Sequence, residues 1–249
     1  MSAAAAAFVL LAAFVTAAVS GVLGMAGGLL LLGALLLVLP AVVAFVVHGL
    51  LQLVSNGWRA FLQRRHLRWS IVGWYAVGAV LAAVAVAAVS YVPSTPVTYL
   101  LLGLVPALVW LPKGLLRLDA TRRSHALLAG LLTTAVNLVA GVAGPLLDVF
   151  FVRTQLGRHS IVATKAATQV LAHLAKVVVY GGPLLRAGES TIPYAVVLFA
   201  VPLSMLGTAL GGRLLDRLSD AGFRSATRWV VTAIGAVYLA QAARLAWGT

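Results

Sequence analysis

Long apolar runs separated by short polar stretches recur along the whole chain, and no other feature restricts the fold as strongly. A helix that crosses a bilayer needs roughly 20 mostly apolar residues, so the chain has room for about eight crossings. Of its 249 residues, 62% are hydrophobic and 9% are charged, whereas soluble domains average roughly 25% charged. The sequence therefore predicts an all-α integral membrane protein and excludes a soluble globular domain.

The apolar runs form ten segments, several of which are too short to cross a bilayer alone. They cover approximately residues 5–23, 27–39, 41–60, 70–91, 97–112, 124–140, 143–152, 161–180, 192–211 and 229–246. Segments 5–23 with 27–39, and 124–140 with 143–152, are expected to form helical hairpins that enter and leave the membrane on one side.

Basic residues outnumber acids by 18 to 5, giving a net charge of +13. In a soluble protein this balance would suggest nucleic acid as a partner. Here the basic residues cluster between apolar segments, as cytoplasmic loops of membrane proteins do, so the expected partner is the lipid bilayer. The predicted cytoplasmic clusters are Arg59, Arg64, Arg65 and Arg68; Lys113, Arg117, Arg122 and Arg123; Arg153 and Arg158; and Arg213, Arg217, Arg224 and Arg228. For a bacterial inner membrane, this arrangement puts both termini in the periplasm.

The two halves of the sequence are related by an internal repeat. Shifting the chain by 117 positions aligns Thr16 with Thr133, Gly24 with Gly141, Gly27 with Gly144 and Gln52 with Gln169. The predicted repeats are residues 1–117 and 118–249, each with one re-entrant or broken helical hairpin followed by three transmembrane helices. Because three is an odd number of crossings, the second repeat is inverted relative to the first, as in many secondary transporters.

A polar stripe recurs in both repeats at the same offset. His48, Gln52, Asn56 and Arg59 align with Lys165, Gln169, His173 and Lys176. The spacings of 4, 4 and 3 keep each set within about 80° of a helix surface at about 100° per residue. Charged groups deep in a bilayer cost roughly 2.5–3.5 kcal/mol each and normally face a cavity or the bundle interior. The two stripes predict one shared polar cavity that prefers an anion.

The depth of the four positive candidates differs in this prediction. Lys165 is expected to lie deep in its helix, and His48 is a candidate titrating group. Arg59 and Lys176 lie toward the ends of their segments, where they either face the cavity or extend to the membrane interface.

Glycines mark the tips of both predicted hairpins. Gly24, Gly27 and Gly28 lie in the first, and Gly141 and Gly144 in the second. Helix N-termini at such breaks present unpaired N–H groups that suit an oxyanion, and Ser20 and Asn137, at equivalent positions, can add side-chain donors. The alternative is that the glycines only allow close helix packing.

Asp148 is the one acid within an apolar run, and its repeat-equivalent is Leu31. One interpretation is a structural ion pair with Lys165 or Arg153. The other is proton coupling, for which His48 and His173 are also candidates.

Other classes of function have less support. The absence of Cys and the scarcity of acids disfavour a metal-cation transporter, and neither a metal nor a cofactor is expected. An intramembrane enzyme acting on lipid phosphate lacks paired carboxylates or a Ser–His arrangement, so the chain is not expected to be an enzyme. A passive anion channel would use the same residues as a transporter and stays open as an alternative. The sequence also leaves room for a homo-oligomer.

Three stretches resemble the sulfite exporter TauE/SafE family, also called the toluene sulfonate uptake permease family, and the resemblance covers essentially the whole chain. They are "SGVLGMAGGLLLL" at Ser20–Leu32, "HGLLQLVSNGWRA" at His48–Ala60, and "NLVAGVAGPLLDVFF…ATKAATQVLAHLAK" spanning Asn137–Lys176. Ala26 interrupts the glycine run of many members, and Pro145 stands where the second tip has a glycine. The resemblance implies a permease that exports small sulfur-containing anions such as sulfite, sulfoacetate or other organosulfonates.

Overall fold

The protein is built from helices throughout the part described by the computed structural model, which comprises residues 1–23, 25–110, 118–186, 192–215 and 220–247. The α-helices are α1 Ala3–Leu23, α2 Met25–Leu36, α3 Ala41–Leu62, α4 Trp69–Ala88, α5 Thr95–Leu104, α6 Arg123–Ala140, α7 Gly144–Phe151, α8 Arg158–Arg186, α9 Tyr194–Leu215 and α10 Asp220–Trp247. Short 3₁₀ turns follow α3 at Arg64–His66 and α5 at Val105–Trp110. The all-α prediction is confirmed, with one α-helix for each of the ten apolar segments.

Six helices are long and apolar enough to cross a membrane. They comprise Ala3–Val22, Ala41–Leu62, Trp69–Ala88, Arg158–Arg186, Tyr194–Leu214 and Arg228–Trp247, and the apolar helices Ala26–Leu36 and Thr95–Trp110 are shorter. The chain is therefore a multi-pass membrane protein. The first arm of the first hairpin differs from a short re-entrant segment, because its apolar run begins at Ala3 and is long enough to span alone.

Proline and glycine set the helix boundaries around the two hairpins. Pro40 precedes α3, and Pro145 lies in the first turn of α7, where its missing N–H costs no helical hydrogen bond. Gly141 ends α6 in the left-handed conformation, with φ of 84°, which glycine adopts without the steric penalty of a side chain. The chain between α6 and α7 thus breaks at Gly141 and resumes at Gly144.

Helices α3 and α8 pack against each other in opposite directions at the centre of the molecule. A Cβ at Gly57 would lie 3.9 Å from Val170, Nζ of Lys176 is 3.1 Å from Nδ1 of His48, and a Cβ at Gly181 would lie 3.8 Å from Val46. In these three contacts the residue numbers increase along α3 while they decrease along α8, so the two helices are antiparallel.

Among helices that are not consecutive in the chain, the other large contacts pair α1 with α9, α4 with α6, and α5 with α10. If α1 to α5 are replaced in order by α6 to α10, and α6 to α10 by α1 to α5, the same helix pairs result. The α1–α9 pair, for example, becomes the α6–α4 pair. Glycines provide the closest approaches: Gly78 on α4 faces the carbonyl of Leu127, and Gly207 on α9 faces the carbonyl of Phe14. Small residues of this kind allow backbones to touch in membranes.

Apolar side chains occupy most of the interior and the outer surface, and polar ones concentrate between α3, α6 and α8. Phe45, Leu32 and Leu138 are fully buried, whereas Val84 and Leu198 are more than 60% exposed on outer helix faces, as lipid-facing residues are. A row of buried polar residues on α3 and α8 interrupts this apolar interior and marks the candidate site.

Candidate functional site

A cavity lies between the two hairpins and the central pair α3 and α8. Eight predicted site residues line it: Gly28, His48, Gln52, Asn56, Asn137, Gly144, Gln169 and His173. The rest of the lining consists of Ser20, Tyr75, Thr133, Val142, Ala143, Leu147 and Ala172. The space open to the centre of a water molecule is about 20 Å³, slightly more than one water needs. Nine of the fifteen lining residues carry polar side chains, and the cavity is small and partly open in this conformation.

Lys176 is the buried cation beside this cavity. Its side chain is 0% exposed, its Nζ donates a hydrogen bond to the carbonyl of Gly141, and it contacts Nδ1 of His48 at 3.1 Å. The ring centroid of Phe45 lies 5.2 Å from Nζ. In the described chain no acid pairs with it, so only dipoles and a π face would offset a positive charge on this amine. Extension of Lys176 to the membrane interface is therefore wrong.

His48 links Lys176 to the first hairpin. Its Nε2 lies 3.0 Å from the carbonyl of Gly28, and a carbonyl can only accept a hydrogen bond. Nε2 must carry the proton, which leaves Nδ1 to accept from Lys176. The chain Gly28–His48–Lys176–Gly141 thus joins the two hairpins across the interface between α3 and α8.

Amide side chains form the next part of the wall. Nδ2 of Asn56 donates to Oε1 of Gln52 at 3.0 Å, so Nε2 of Gln52 points toward Gly28, 3.2 Å from where a Cβ would stand. A side chain at position 28 would fill this space, which explains a glycine there.

On the opposite wall, Nδ2 of Asn137 donates to the carbonyl of Ala172 at 3.1 Å. Its Oδ1, and Nδ1 of His173, are buried without a hydrogen-bond partner among the described residues. The two imidazoles of His48 and His173 meet edge to face, with centroids 5.3 Å apart. The repeat-equivalent stripes on α3 and α8 therefore meet in one cavity.

Arg59 occupies the position equivalent to Lys176 and is also drawn inward. It is 9% exposed, and its Nη2 donates to Oγ of Ser20 at 3.1 Å. Arg59 thus contacts a cavity-lining residue without lining the cavity itself, and extension to the membrane interface is wrong for it as well.

Lys165 differs most from its predicted position. It forms an ion pair with Asp148, and both side chains are partly exposed, at 21% and 34%. Lys165 does not line the cavity, because its ammonium is directed to the acid on α7. The deep position expected for Lys165 belongs to Lys176, about three helical turns further along α8.

Some of the hairpin glycines allow helices to pack closely, and others line the cavity. A Cβ at Gly27 would overlap the carbonyl of Thr16 and approach Cβ of Ser20 at 2.5 Å, so Gly27 allows α1 and α2 to touch. Gly28 and Gly144 face the cavity. Gly24 lies outside the described residues.

Tyr75 and Thr133 line the cavity but were not among the predicted site residues. The hydroxyl of Tyr75 lies 2.7 Å from Oγ1 of Thr133. Thr133 was visible as a match to Thr16, but Tyr75 lies on an evenly apolar helix whose sequence gave no sign of its role. In the described parts of the chain, no three His, Cys, Asp or Glu side chains cluster so as to hold a metal ion.

Comparison with known proteins gives one match. The family model for the sulfite exporter TauE/SafE matches residues 9–238. Searches of curated proteins and of solved structures return no match.

Proposed function

Because the chain belongs to the sulfite exporter TauE/SafE family, a family of membrane transporters, we propose that it exports a small sulfur-containing anion through the cavity between α3 and α8. Sulfite is the simplest candidate, with sulfoacetate and other organosulfonates as relatives of the same charge type. The observation that carries the proposal is Lys176, a fully buried lysine without an acidic partner in the described chain.

A buried ammonium without a counter-ion is costly, because desolvation of a charge is compensated only when opposite charge or good hydrogen bonds replace water. The two partners of Lys176, a carbonyl and a neutral imidazole, offset part of this cost. An anion entering the cavity would offset more of it. Nε2 of Gln52 and the first turn of α7 at Gly144 are the donors that would complete its coordination.

The proposed substrate-binding set follows from these contacts. It comprises Gly28, His48, Gln52, Asn56, Asn137, Gly144, Gln169, His173 and Lys176, supported by Arg59 and Gly141. Of the three candidates for proton coupling, His48 and His173 line the cavity, while Asp148 is held by Lys165. We therefore assign proton coupling to the histidine pair and an ion-pair role to Asp148.

Alternating access is the proposed mechanism, with residues 1–117 and 118–249 as the two repeats. The antiparallel packing of α3 and α8 and the exchange symmetry of the helix pairs support an inverted relation between them. The cavity, with about 20 Å³ open to water centres, is too small for a hydrated oxyanion. Substrate entry then requires the repeats to move apart on one side at a time.

Reconstitution into proteoliposomes tests the proposal. Sulfite flux should saturate with concentration and should be lost in Lys176→Gln, since the neutral amide cannot offset the anion's charge. Arg186→Gln is the matched control, because it removes an exposed cation from the same helix and should leave the flux unchanged. Flux that rises linearly without saturation would instead select the passive channel. No flux of any sulfur oxyanion would overturn the proposed substrate class.

A further inference from the structure

The cavity wall contains two buried polar atoms that no part of the described chain satisfies. Oδ1 of Asn137 and Nδ1 of His173 have no hydrogen-bond partner, although the side chains are only 2% and 6% exposed. Both residues line the cavity. Buried polar groups are nearly always paired, so unpaired atoms on residues that line a cavity point to a partner that enters the cavity.

The orientation of the Asn137 amide is fixed by its neighbour. The carbonyl of Ala172 only accepts hydrogen bonds, so the group 3.1 Å from it must be the NH₂ of Asn137. The free atom is therefore the amide oxygen, which only accepts. A ligand satisfies it only by donating a hydrogen bond.

The same cavity also carries donors and a neighbouring positive charge. Asn56 occupies the oxygen of Gln52, which leaves the Gln52 NH₂ as a donor, and Lys176 lies behind His48. Nδ1 of His173 can accept or donate, depending on the ring tautomer. The wall thus offers donors for oxygens and at least one acceptor for a hydrogen.

We propose, building on the proposed function, that the site selects an oxyanion that carries its own hydrogen-bond donor, with Asn137 as the residue that reads the donor. For sulfite this means the hydrogen-sulfite monoanion rather than the dianion, and the rule narrows the proposed substrates by favouring hydrogen sulfite over sulfoacetate and other organosulfonates that lack a donor. Sulfate near neutral pH and methanesulfonate have no donor, so they leave the oxygen of Asn137 unpaired or facing an anionic oxygen. A site built to pair with a donor rejects analogues that lack it.

Binding to wild-type protein tests this directly, because hydrogen sulfite loses its proton near neutral pH. The probe is sulfite, measured by calorimetry and thermal stabilisation at about pH 6 and about pH 8.5. Methanesulfonate, a monoanion without a donor at both pH values, is the control ligand. Sulfite should bind about tenfold tighter than methanesulfonate at the lower pH, because the unpaired amide oxygen penalises the analogue. The advantage should disappear at the higher pH.

Methanesulfonate also distinguishes titration of the protein from titration of the ligand, because its own charge is the same at both pH values. The titratable or charged groups that face the cavity or contact its wall are His48 and Arg59 on α3, Tyr75 on α4, and His173 and Lys176 on α8. If one of them controlled binding, both ligands would lose affinity together. A site that recognised charge alone would bind the dianion more tightly at the higher pH.

Asn137→Leu removes the acceptor and should bring the sulfite-to-methanesulfonate affinity ratio at the lower pH to about one. Thr98→Val is the matched control, because it removes another fully buried, unpartnered oxygen that lies outside the cavity, and it should keep the ratio. If Asn137→Leu fails to fold, the wild-type comparison decides alone. Equal binding of sulfite and methanesulfonate, or tighter binding of the dianion, overturns the donor rule while the proposed function stands. Absence of binding by every sulfur oxyanion overturns both.

Discussion

Two lysines on α8 show what a local pattern determines and what it leaves undetermined. Lys165 and Lys176 lie on one stripe, as their spacing requires, yet Lys165 is partly exposed beside Asp148 and Lys176 is fully buried. Lys165 lies only seven residues from the start of α8, where its ammonium pairs with Asp148 on α7. The end of α8 also differs from the expected one near residue 180, because the helix extends to Arg186. Glycines at 181 and 182 and Pro183 normally suggest a helix end, but the helix continues through them.

The Lys165–Asp148 pair gives a prediction at the same scale. Lys165→Met leaves the carboxylate of Asp148 without its cation and should lower the apparent Tm of the purified protein. The effect should be modest, about 1 kcal/mol, because the pair is partly exposed. Thermal unfolding in detergent measures it.

The double variant Lys165→Met with Asp148→Leu provides the matched control, since Leu31 occupies the equivalent position in the other repeat. Removing both charges should restore most of the Tm lost by Lys165→Met. If the double variant is no more stable than the single one, the pair does not explain why Asp148 is tolerated on α7.

At the scale of elements, the close packing of α4 against α6 depends on the glycine at position 78. A Cβ at Gly78 would overlap the carbonyl of Leu127 and stand 2.6 Å from the amide nitrogen of Leu131, whereas a Cβ at Gly73 meets nothing within 4 Å. Both glycines lie in the interior of α4, so their helix propensities are alike. Substitutions at these two positions therefore distinguish the effect of helix packing from the effect of helix propensity.

Gly78→Ala should therefore destabilise the protein by about 1–3 kcal/mol or more, because the clash is with backbone that cannot rotate away. Gly73→Ala should be neutral or slightly stabilising. Size-exclusion profiles and thermal unfolding in detergent compare them. Equal Tm values for the two variants would contradict the close packing of α4 on α6.

Most helix positions followed from the sequence, whereas the way the helices pair did not. Hydropathy located all ten segments, since each apolar run must be helical to satisfy its backbone in a membrane, although α8 ends six residues beyond its predicted bound and α10 begins nine residues before it. The offset of 117 holds at the starts of α3 and α8, Ala41 and Arg158, but α4 and α9 begin 125 positions apart, at Trp69 and Tyr194. The reason lies mostly in α8 itself, which has 29 residues where α3 has 22, and no local pattern predicts this extra length.

The same limit applied to the site. The stripes on α3 and α8 were predictable because helical spacing puts their residues on one face. The role of Tyr75 depended on which helices meet, and so did the choice between Lys165 and Arg153 as the partner of Asp148, which the structure gives to Lys165. Contacts between distant segments are set by packing of the whole bundle, which one sequence does not display.

At the scale of the whole molecule, the orientation of α8 decides between inverted and parallel repeats. Rings of His66 and His159 lie 5.3 Å apart, and the amide of Arg68 donates to Oγ1 of Thr164 at 3.1 Å. The end of α3 and the start of α8 therefore share one face. The 29 residues of α8, at 1.5 Å each, extend about 43 Å, enough to reach the opposite face.

Single cysteines report this orientation cleanly, because the chain has none of its own. Arg65→Cys and Arg186→Cys replace exposed residues beyond the end of α3 and at the end of α8. In intact cells, a membrane-impermeant maleimide should label the cysteine at 186 and spare that at 65, since the basic cluster around Arg65 is predicted to be cytoplasmic. Inside-out vesicles should reverse the pattern. Labelling of both cysteines from one side would place the two ends on the same face and contradict both a full crossing by α8 and the inverted repeat.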